Sequence, residues 1–402
     1  MPFTIRVLDM EQGDCTLIRC PNDELVMVDC GSKSGFTDDR RITVQMAVRE
    51  WTKKNLNAID ALILTHPDRD HYSEVGNILG EYTWLSDVKV GAKTIKAQKF
   101  KAVDVLQIYF SNASAVAGPL GNYKTNSVGG VVYGHYLSTD EIHEVTIHAA
   151  AGPNQYITWE KADGFTTPVR TTAINNNRLT VLSGKTSGTN WSVSIIAGNV
   201  PDGMALSSES KRNTASLITL LEIGAKKGLI CGDGTETTEA FLTANHAANI
   251  SNLDFIQVGH HGSATSSGVA FANMTDPKAA FVSVANREHS HYLPKEEIIK
   301  RWLGKLNNKS KMDAHTIDYW VRDPTYNPGQ DNKAKKLLQK WEGDGEAFVR
   351  EGNLYFLDTD YSVFANDYFA LDTKTGFRLY RQETSLSLRQ TATNGPFDFT
   401  LG

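Results

Sequence analysis

The chain has 402 residues, 40% of them hydrophobic, and a formal net charge of −5. That length suits one large domain with insertions, or two domains, and the charge argues against an extended basic surface for duplex DNA. No apolar run approaches the ~20 residues that cross a bilayer. The opening MPFTIRVLDMEQGD lacks a basic segment followed by an apolar one, so a cytoplasmic protein with no membrane partner is expected.

The first residues predict three strands, FTIRVLDM, CTLIRCP and LVMVDCG, which alternate or run apolar with β-branched residues. Pro21 and Asn22 begin the turn between the second and third, and Asp23 continues it. The spacing of Val44, Ala47, Val48 and Trp51 predicts a helix over 43–56. IDALILTH is then a buried strand that ends in a polar loop. A long insertion follows, from about 82 to 212. Its middle, NASAVAGPLGNYKTNSVGGVVYG, is rich in Gly, Ser and Asn and reads as loop. Its later part (EVTIHAAAG, YITWEK, RLTVLSG, WSVSIIAG) reads as strands, some of them completing a first sheet.

The second half repeats the first. SLITLLEIG and LICGDG form a hairpin around AKKG, a helix covers 237–247, and LDFIQVGHHG is a buried strand ending in histidines. VMVDCG aligns with LICGDG, and NAIDALILTH with SNLDFIQVGH. Two such units packed sheet on sheet, with helices outside, give an αββα sandwich with the polar groups at one edge. We place this α/β domain at 1–340 and a β-rich C-terminal extension at 341–402, where EAFVREGNLYFLD, SVFANDYFALD and GFRLYR read as strands. Cys15, Cys20, Cys30 and Cys231 form no C-x-x-C pair and are expected as buried free thiols. Lys and Arg are dense over 287–340, which fits either a local basic groove or a solvated helical face.

The chemistry concentrates in LTHPDRDHYS, where His66, Asp68, Asp70 and His71 fall within six residues directly after an apolar strand. Carboxylates and imidazoles at that density on one tight loop have little structural reason. They have the donor set for metal ions. His260 and His261 end the matching strand of the second repeat, and so sit beside the first loop. One of the pair is expected to bind metal or phosphate and the other to protonate a leaving oxygen; His260 is taken as the ligand and His261 as the catalytic group. Ser263 is placed to contact a phosphate. A third strand, AAFVSVA, delivers REHSH, with His291 as a further candidate ligand and His289 as its alternative.

LTHPDRDHYS has the H-x-[HD]-x-D-H form of the metallo-β-lactamase superfamily. Together with LDMEQGDCTLIRCPNDELVMVDCG, SLITLLEIGAKKGLICGDGTE and FIQVGHHGSATSS, it resembles the ComEC/Rec2-like branch, over residues 1–80 and about 210–292. The resemblance implies a metallo-β-lactamase fold, a pair of Zn or Mn ions and hydrolysis by a metal-bridging hydroxide. Asp29 would orient the metal loop from beneath, His66 and Asp68 would bind the first ion, Asp70 and His71 the second, and Asp233 would bridge them. Two dications ~3.5–4 Å apart need an anion between them. Asp70, His261 and Asp29 are the expected catalytic set. Asn213 stands where many members carry a histidine, so the first position is poorer in ligands, and Asn213 joins Ser263 as a substrate contact. The expected substrate is a phosphodiester, either a small molecule or single-stranded nucleic acid. Ester, thioester or lactam hydrolysis by the same metals, or a metal-stabilised non-catalytic binding module, are the alternatives.

Overall fold

The computed structural model describes residues 1–8, 10, 13–32, 36, 38–53, 57–83, 87–90, 93–96, 99–111, 141–148, 153–160, 168–200, 208–284, 295, 298, 301–302, 315–322, 352–356, 370–371, 377–384, 388–390 and 397–402. Among these, the strands of the two large sheets are labelled in chain order. The first sheet contains β1 (Phe3–Val7), β2 (Thr16–Arg19), β3 (Leu25–Val28), β4 (Ala58–Leu64), β5 (Asp104–Phe110), β6 (Glu141–Thr146), β7 (Gln155–Glu160) and β8 (Pro168–Ala173). The second contains β9 (Leu179–Thr186), β10 (Thr189–Ala197), β11 (Ile218–Ile223), β12 (Lys226–Ile230), β13 (Phe255–Gln257), β14 (Ala280–Val284), β15 (Gly352–Phe356) and β16 (Leu388–Gln390). The last strand, β17 (Phe397–Leu401), returns to the first sheet. The spatial orders are β8-β7-β6-β5-β4-β3-β2-β1-β17 and β9 through β16 in sequence.

Alternation along the strands sets the layers. In the first sheet Ile18, Val26, Val28, Ala61 and Ile63 face one hydrophobic cluster, which they share with Val193, Ile195, Leu220 and Leu229 of the second sheet. Their neighbours Leu17, Leu25, Met27, Leu62 and Leu64 face a second cluster, with Val44, Ala47, Val48 and Trp51 of helix α1 (Asp38–Thr52). A side-chain period of two puts successive residues on opposite faces. Both faces of the central strands are therefore covered, one by the other sheet and one by the helix. This is the sheet-on-sheet arrangement with an outer helix that the sequence predicts. The helix begins earlier and ends earlier than its apolar spacing suggests. Asp38 in the first turn pairs with Arg41, 2.5 Å away, and an acid at a helix N-terminus complements the exposed N–H groups.

The internal repeat is visible in the topology. The antiparallel β2–β3 hairpin leads through α1 to β4, which pairs parallel with β3 (Val26 against Ala61). The β11–β12 hairpin leads through a long helix (Glu236–Ile250) to β13, which pairs parallel with β12 (Gly228 against Phe255). In each unit the chain after the second hairpin strand and the chain after the parallel strand emerge side by side.

The segments read as insertion and tail supply strands to both sheets. β5 pairs with β4, β6 to β8 extend outward from it, and β10 pairs with β11. β17 pairs antiparallel with β1, Phe3 against Leu401. The strands His315–Arg322, Ala370–Leu371 and Phe377–Thr384 form a separate three-stranded sheet. The Gly-, Ser- and Asn-rich stretch 112–134 expected as loop, and Lys300, Lys305, Lys309, Lys311, Lys335, Lys336 and Lys340 of the basic stretch, lie outside the described residues. Arg301 donates to the Ser267 carbonyl. All four cysteines are buried free thiols. Among the described residues no helix is long and apolar enough to cross a membrane.

Candidate metal centre

The site is assembled where the strands of both repeats end. Asp29 follows β3 with φ of 56°, a left-handed conformation that Asp tolerates better than most residues. Its carboxylate accepts from the Thr65 amide, the Thr65 hydroxyl and His71 Nδ1, each at 2.7 Å. The backbone ties the same loop down, Cys30 N–H donating to the His71 carbonyl at 2.8 Å. Gly31 makes the approach sterically feasible. A Cβ there would lie 2.4 Å from the Asp70 carbonyl carbon and the His71 nitrogen. The short helix Arg69–Tyr72 then delivers Asp70 and His71, both buried.

The second repeat supplies the opposite wall. Gly232 (φ 48°) turns the chain after β12, and Gln257 Oε1 accepts from the amides of Cys231 and Gly232 to hold that turn. Asp233 follows, buried. His260 and His261 lie in a 3-10 turn, Gly259–Gly262, with φ of 51° and 50°. Consecutive left-handed non-glycine residues cost roughly 1–2 kcal/mol each. Such strain is found where surrounding contacts over-determine the geometry, often at functional sites. Here His260 N–H donates to the Gly232 carbonyl and Ser263 N–H to the His260 carbonyl. His261 Nδ1 lies 2.6 Å from the carbonyl of Ser283 on β14.

These partners settle the tautomers. His71 Nδ1–H donates to Asp29, and His261 Nδ1–H donates to a carbonyl, so Nε2 of each ring is the atom left to face inward, protonated in the metal-free protein and able to bind a metal once that proton leaves. The two Nε2 atoms face Asp233 Oδ1 at 3.2 and 3.5 Å. Asp14, on the loop before β2, completes the group. One donor atom from each of Asp14, His71, Asp233 and His261 lies within 4.8 Å of every other, and all four residues are buried. Asp14 Oδ1, His71 Nε2, Asp233 Oδ1 and His261 Nε2 have no hydrogen-bond partner. An unsatisfied buried polar atom costs about 1–3 kcal/mol, more when charged. Two carboxylate oxygens and two imidazole nitrogens converge there, and once the imidazoles lose their Nε2 protons they form a donor set that zinc and manganese accept.

The electrostatics point the same way. Burial disfavours charge on His71 and His261, but surrounding carboxylates outweigh it. Asp233 and Asp29 raise His71 well above an ordinary histidine, and Asp233, Asp70 and Asp14 push His261 up to about 9. Burial also opposes charge on Asp233, yet the neighbouring histidines, His261 foremost, hold its carboxyl well below the usual range. Asp14 is raised, chiefly by burial.

Residues 8–106 match the family model described as "Metallo-beta-lactamase superfamily". The chain has the metallo-β-lactamase fold. Over 91 residues it is 30% identical to "ComE operon protein 3" of Bacillus subtilis (strain 168), a match covering 23% of this chain and 11% of that protein. It is also similar to the short form of human tRNase Z (13% identity, TM-score 0.34, 68% of this chain and 90% of the other). A zinc-bound PqqB from Methylobacterium extorquens is comparable (12% identity, TM-score 0.30, 65% and 73%).

On this metallo-β-lactamase fold the residues expected from the sequence divide into two halves around Asp233. Its Oδ1 faces His71 and His261, while its Oδ2 lies 3.7 Å from His66 Nε2 and 3.8 Å from His260 Nε2. Asp70 Oδ2 lies 3.5 Å from His261 Nε2. Asp68 Oδ2 lies 3.7 Å from His66, and its Oδ1 accepts from Arg212 at 2.5 Å. Asn213 Nδ2 contacts His260 Nε2 at 2.9 Å, and Ser263 Oγ lies 3.1 Å from Thr265 Oγ1. Of the two adjacent histidines, His261 is in the four-residue cluster, and His260 is outside it and partly exposed. His291 and His289 lie outside the described residues.

Asp14 and Arg212 were given no role from sequence. Asp14 sits in the quoted LDMEQGDCT string. Thr16 pairs with Val28, so the residues just outside that pair meet at the same sheet edge. That register was the signal available for it.

Asp29→Asn presents an amide where His71 needs an acceptor and disturbs its tautomer. Metal affinity is expected to fall about 10- to 100-fold, measured by isothermal titration; unchanged affinity would show that Asp29 does not set the ring.

Proposed function

We propose that the protein is a metal-dependent hydrolase acting on phosphodiesters. The observation that carries this reading is the convergence of four buried, unpartnered donor atoms from both repeats. A bound dication supplies Lewis acidity there, lowering the pKa of a water and drawing charge from a substrate oxygen. Zinc and manganese both suit the donors, and Asp233 faces both halves of the centre.

The rim beside the cluster favours an oxygen-rich substrate. Asn213 Nδ2–H donates to His260 Nε2, which places the ring proton on Nδ1, 2.8 Å from Thr265 Oγ1. Thr265 and Ser263 then share a hydroxyl contact. Burial holds His260 below an ordinary histidine, against the pull of Asp233, so it orients hydroxyls rather than carrying charge. A chain of that kind aims donors at phosphoryl oxygens. The role of His261 is accordingly that of a ligand, and the substrate-facing role passes to His260 with Ser263. Asp29 positions His71, and Asp70 stands beside His261. A small phosphodiester or single-stranded nucleic acid is the proposed substrate.

Protein loaded with Mn²⁺ or Zn²⁺ is expected to hydrolyse bis-p-nitrophenyl phosphate, and chelation to abolish the reaction. Nitrocefin and a thioester are the parallel substrates. Metal-loaded protein that leaves the diester intact, or prefers either alternative, would overturn the phosphodiester reading.

A further inference from the structure

We propose that the guanidinium of Arg212 takes the place of a second cation, so that the resting protein holds one tightly bound dication, in the half formed by Asp14, His71, His261 and Asp233. The inference rests on the metal-binding reading above and concerns how many ions that centre retains.

The two halves are unequal in their hydrogen bonding. The four unpartnered donors of the centre all belong to the half around Asp233 Oδ1. In the half around Oδ2, two of the corresponding donors are engaged. Asp68 Oδ1 accepts from Arg212 Nε at 2.5 Å. His260 Nε2, whose lone pair would face an ion, accepts from Asn213 at 2.9 Å. One element provides both contacts, the helix Ser208–Thr214, which carries Arg212 and Asn213 in succession.

The charge balance agrees. The Arg212 guanidinium lies against Asp68 Oδ1 and supplies the positive charge that this largely buried carboxylate needs. Arginine remains protonated at any physiological pH, so this compensation is permanent, unlike that of a histidine. A dication entering the His66–Asp68 half would have to displace the guanidinium from its carboxylate or bind against its charge. Asn213 adds to the effect, since an amide nitrogen donates a proton and offers no lone pair to a metal. The side chains of Arg212 and Asp68 are 28% and 16% exposed, so the pair lies at the mouth of the centre, and a substitution at Arg212 leaves the core intact.

The test counts ions. Chelator-stripped wild type and Arg212→Gln are titrated with Mn²⁺, desalted, and the retained metal is measured by elemental analysis and native mass spectrometry. Circular dichroism checks the fold of both proteins. The wild type is expected to keep one Mn²⁺ per chain. Arg212→Gln is expected to bind a second at least about tenfold more tightly than the wild type does, with an exchange-coupled pair in its electron paramagnetic resonance spectrum. Two ions retained by the wild type, or no gain in the affinity of the second ion in folded Arg212→Gln, would overturn the proposal. No ion retained by the wild type would instead overturn the metal-binding reading beneath it, and the proposal with it.

Discussion

Asp233→Asn is expected to keep the fold and lose the dication. Among the described residues, the carboxylate of Asp233 faces His66, His71, His260 and His261, from 3.2 to 3.8 Å. Replacing it by an amide of the same shape removes an anion and changes what those rings meet. An amide at that position can accept from a ring's Nε2–H through its oxygen or donate to a neutral Nε2 through its nitrogen, but it brings no negative charge to hold a cation. The substitution therefore leaves the rings a polar partner while removing the anion that attracts the dication. Metal affinity should fall by about 100-fold or more, at least the effect of losing a supporting group outside the ligand set. Hydrolysis of the phosphodiester should fall with it. The melting temperature of the variant should be insensitive to chelator, whereas that of the loaded wild type should drop. Titration calorimetry and a thermal melt with and without chelator check both statements. An Asn variant that binds the dication as tightly as the wild type would remove Asp233 from the centre.

The parts legible in the sequence were those with a local signal. Alternation in LVMVDCG and ALILTH reported a sheet covered on both faces, and the clusters on either side of β3 and β4 bear this out. The density of acids and histidines in LTHPDRDHYS has no structural explanation, so it marked a site without any knowledge of pairing. The repeat then placed the Asp233 and His260–His261 turns at the same edge. What stayed hidden depends on contacts between residues distant in sequence. β17 pairs with β1 at nearly the full length of the chain, and nothing within FDFTL names its partner. The different surroundings of His260 and His261 were likewise unreadable, because they are set by Asn213 on one ring and the Ser283 carbonyl on the other. A single acid after glycine, as at Asp14, is ordinary turn chemistry until strand register puts it beside His71. Arg212 reaches Asp68 across 144 positions, and no spacing rule connects them.

Stripped of metal, the protein is expected to become less stable as pH rises from about 6.5 to about 9. In the unfolded chain His261 titrates near pH ~6.5. In the folded chain Asp233, Asp70 and Asp14 overcome the burial penalty and hold its pKa at about 9. A histidine raised on folding contributes its full stabilisation below the unfolded value and loses it as pH climbs through the folded one. The gap corresponds to roughly 3 kcal/mol. His71 is also raised, by Asp233 and Asp29, and adds to the same slope. Asp233 has the opposite sign: its depressed pKa supplies stability above the ordinary carboxylate range and withdraws it only on acidification. It therefore does not offset the loss in this window. A bound dication changes the dependence because it replaces the protons on His71 and His261. Binding then releases protons, and affinity rises with pH. Denaturant midpoints at pH 6.5, 8 and 9.5, in chelator and in excess zinc, check the pair of slopes. The chelated protein should weaken across the series, and the loaded protein should hold steady or strengthen. A chelated protein whose stability rises over that range would mean that the carboxylates around His261 do not hold its proton, and that the cluster is not the cation-seeking arrangement its geometry describes.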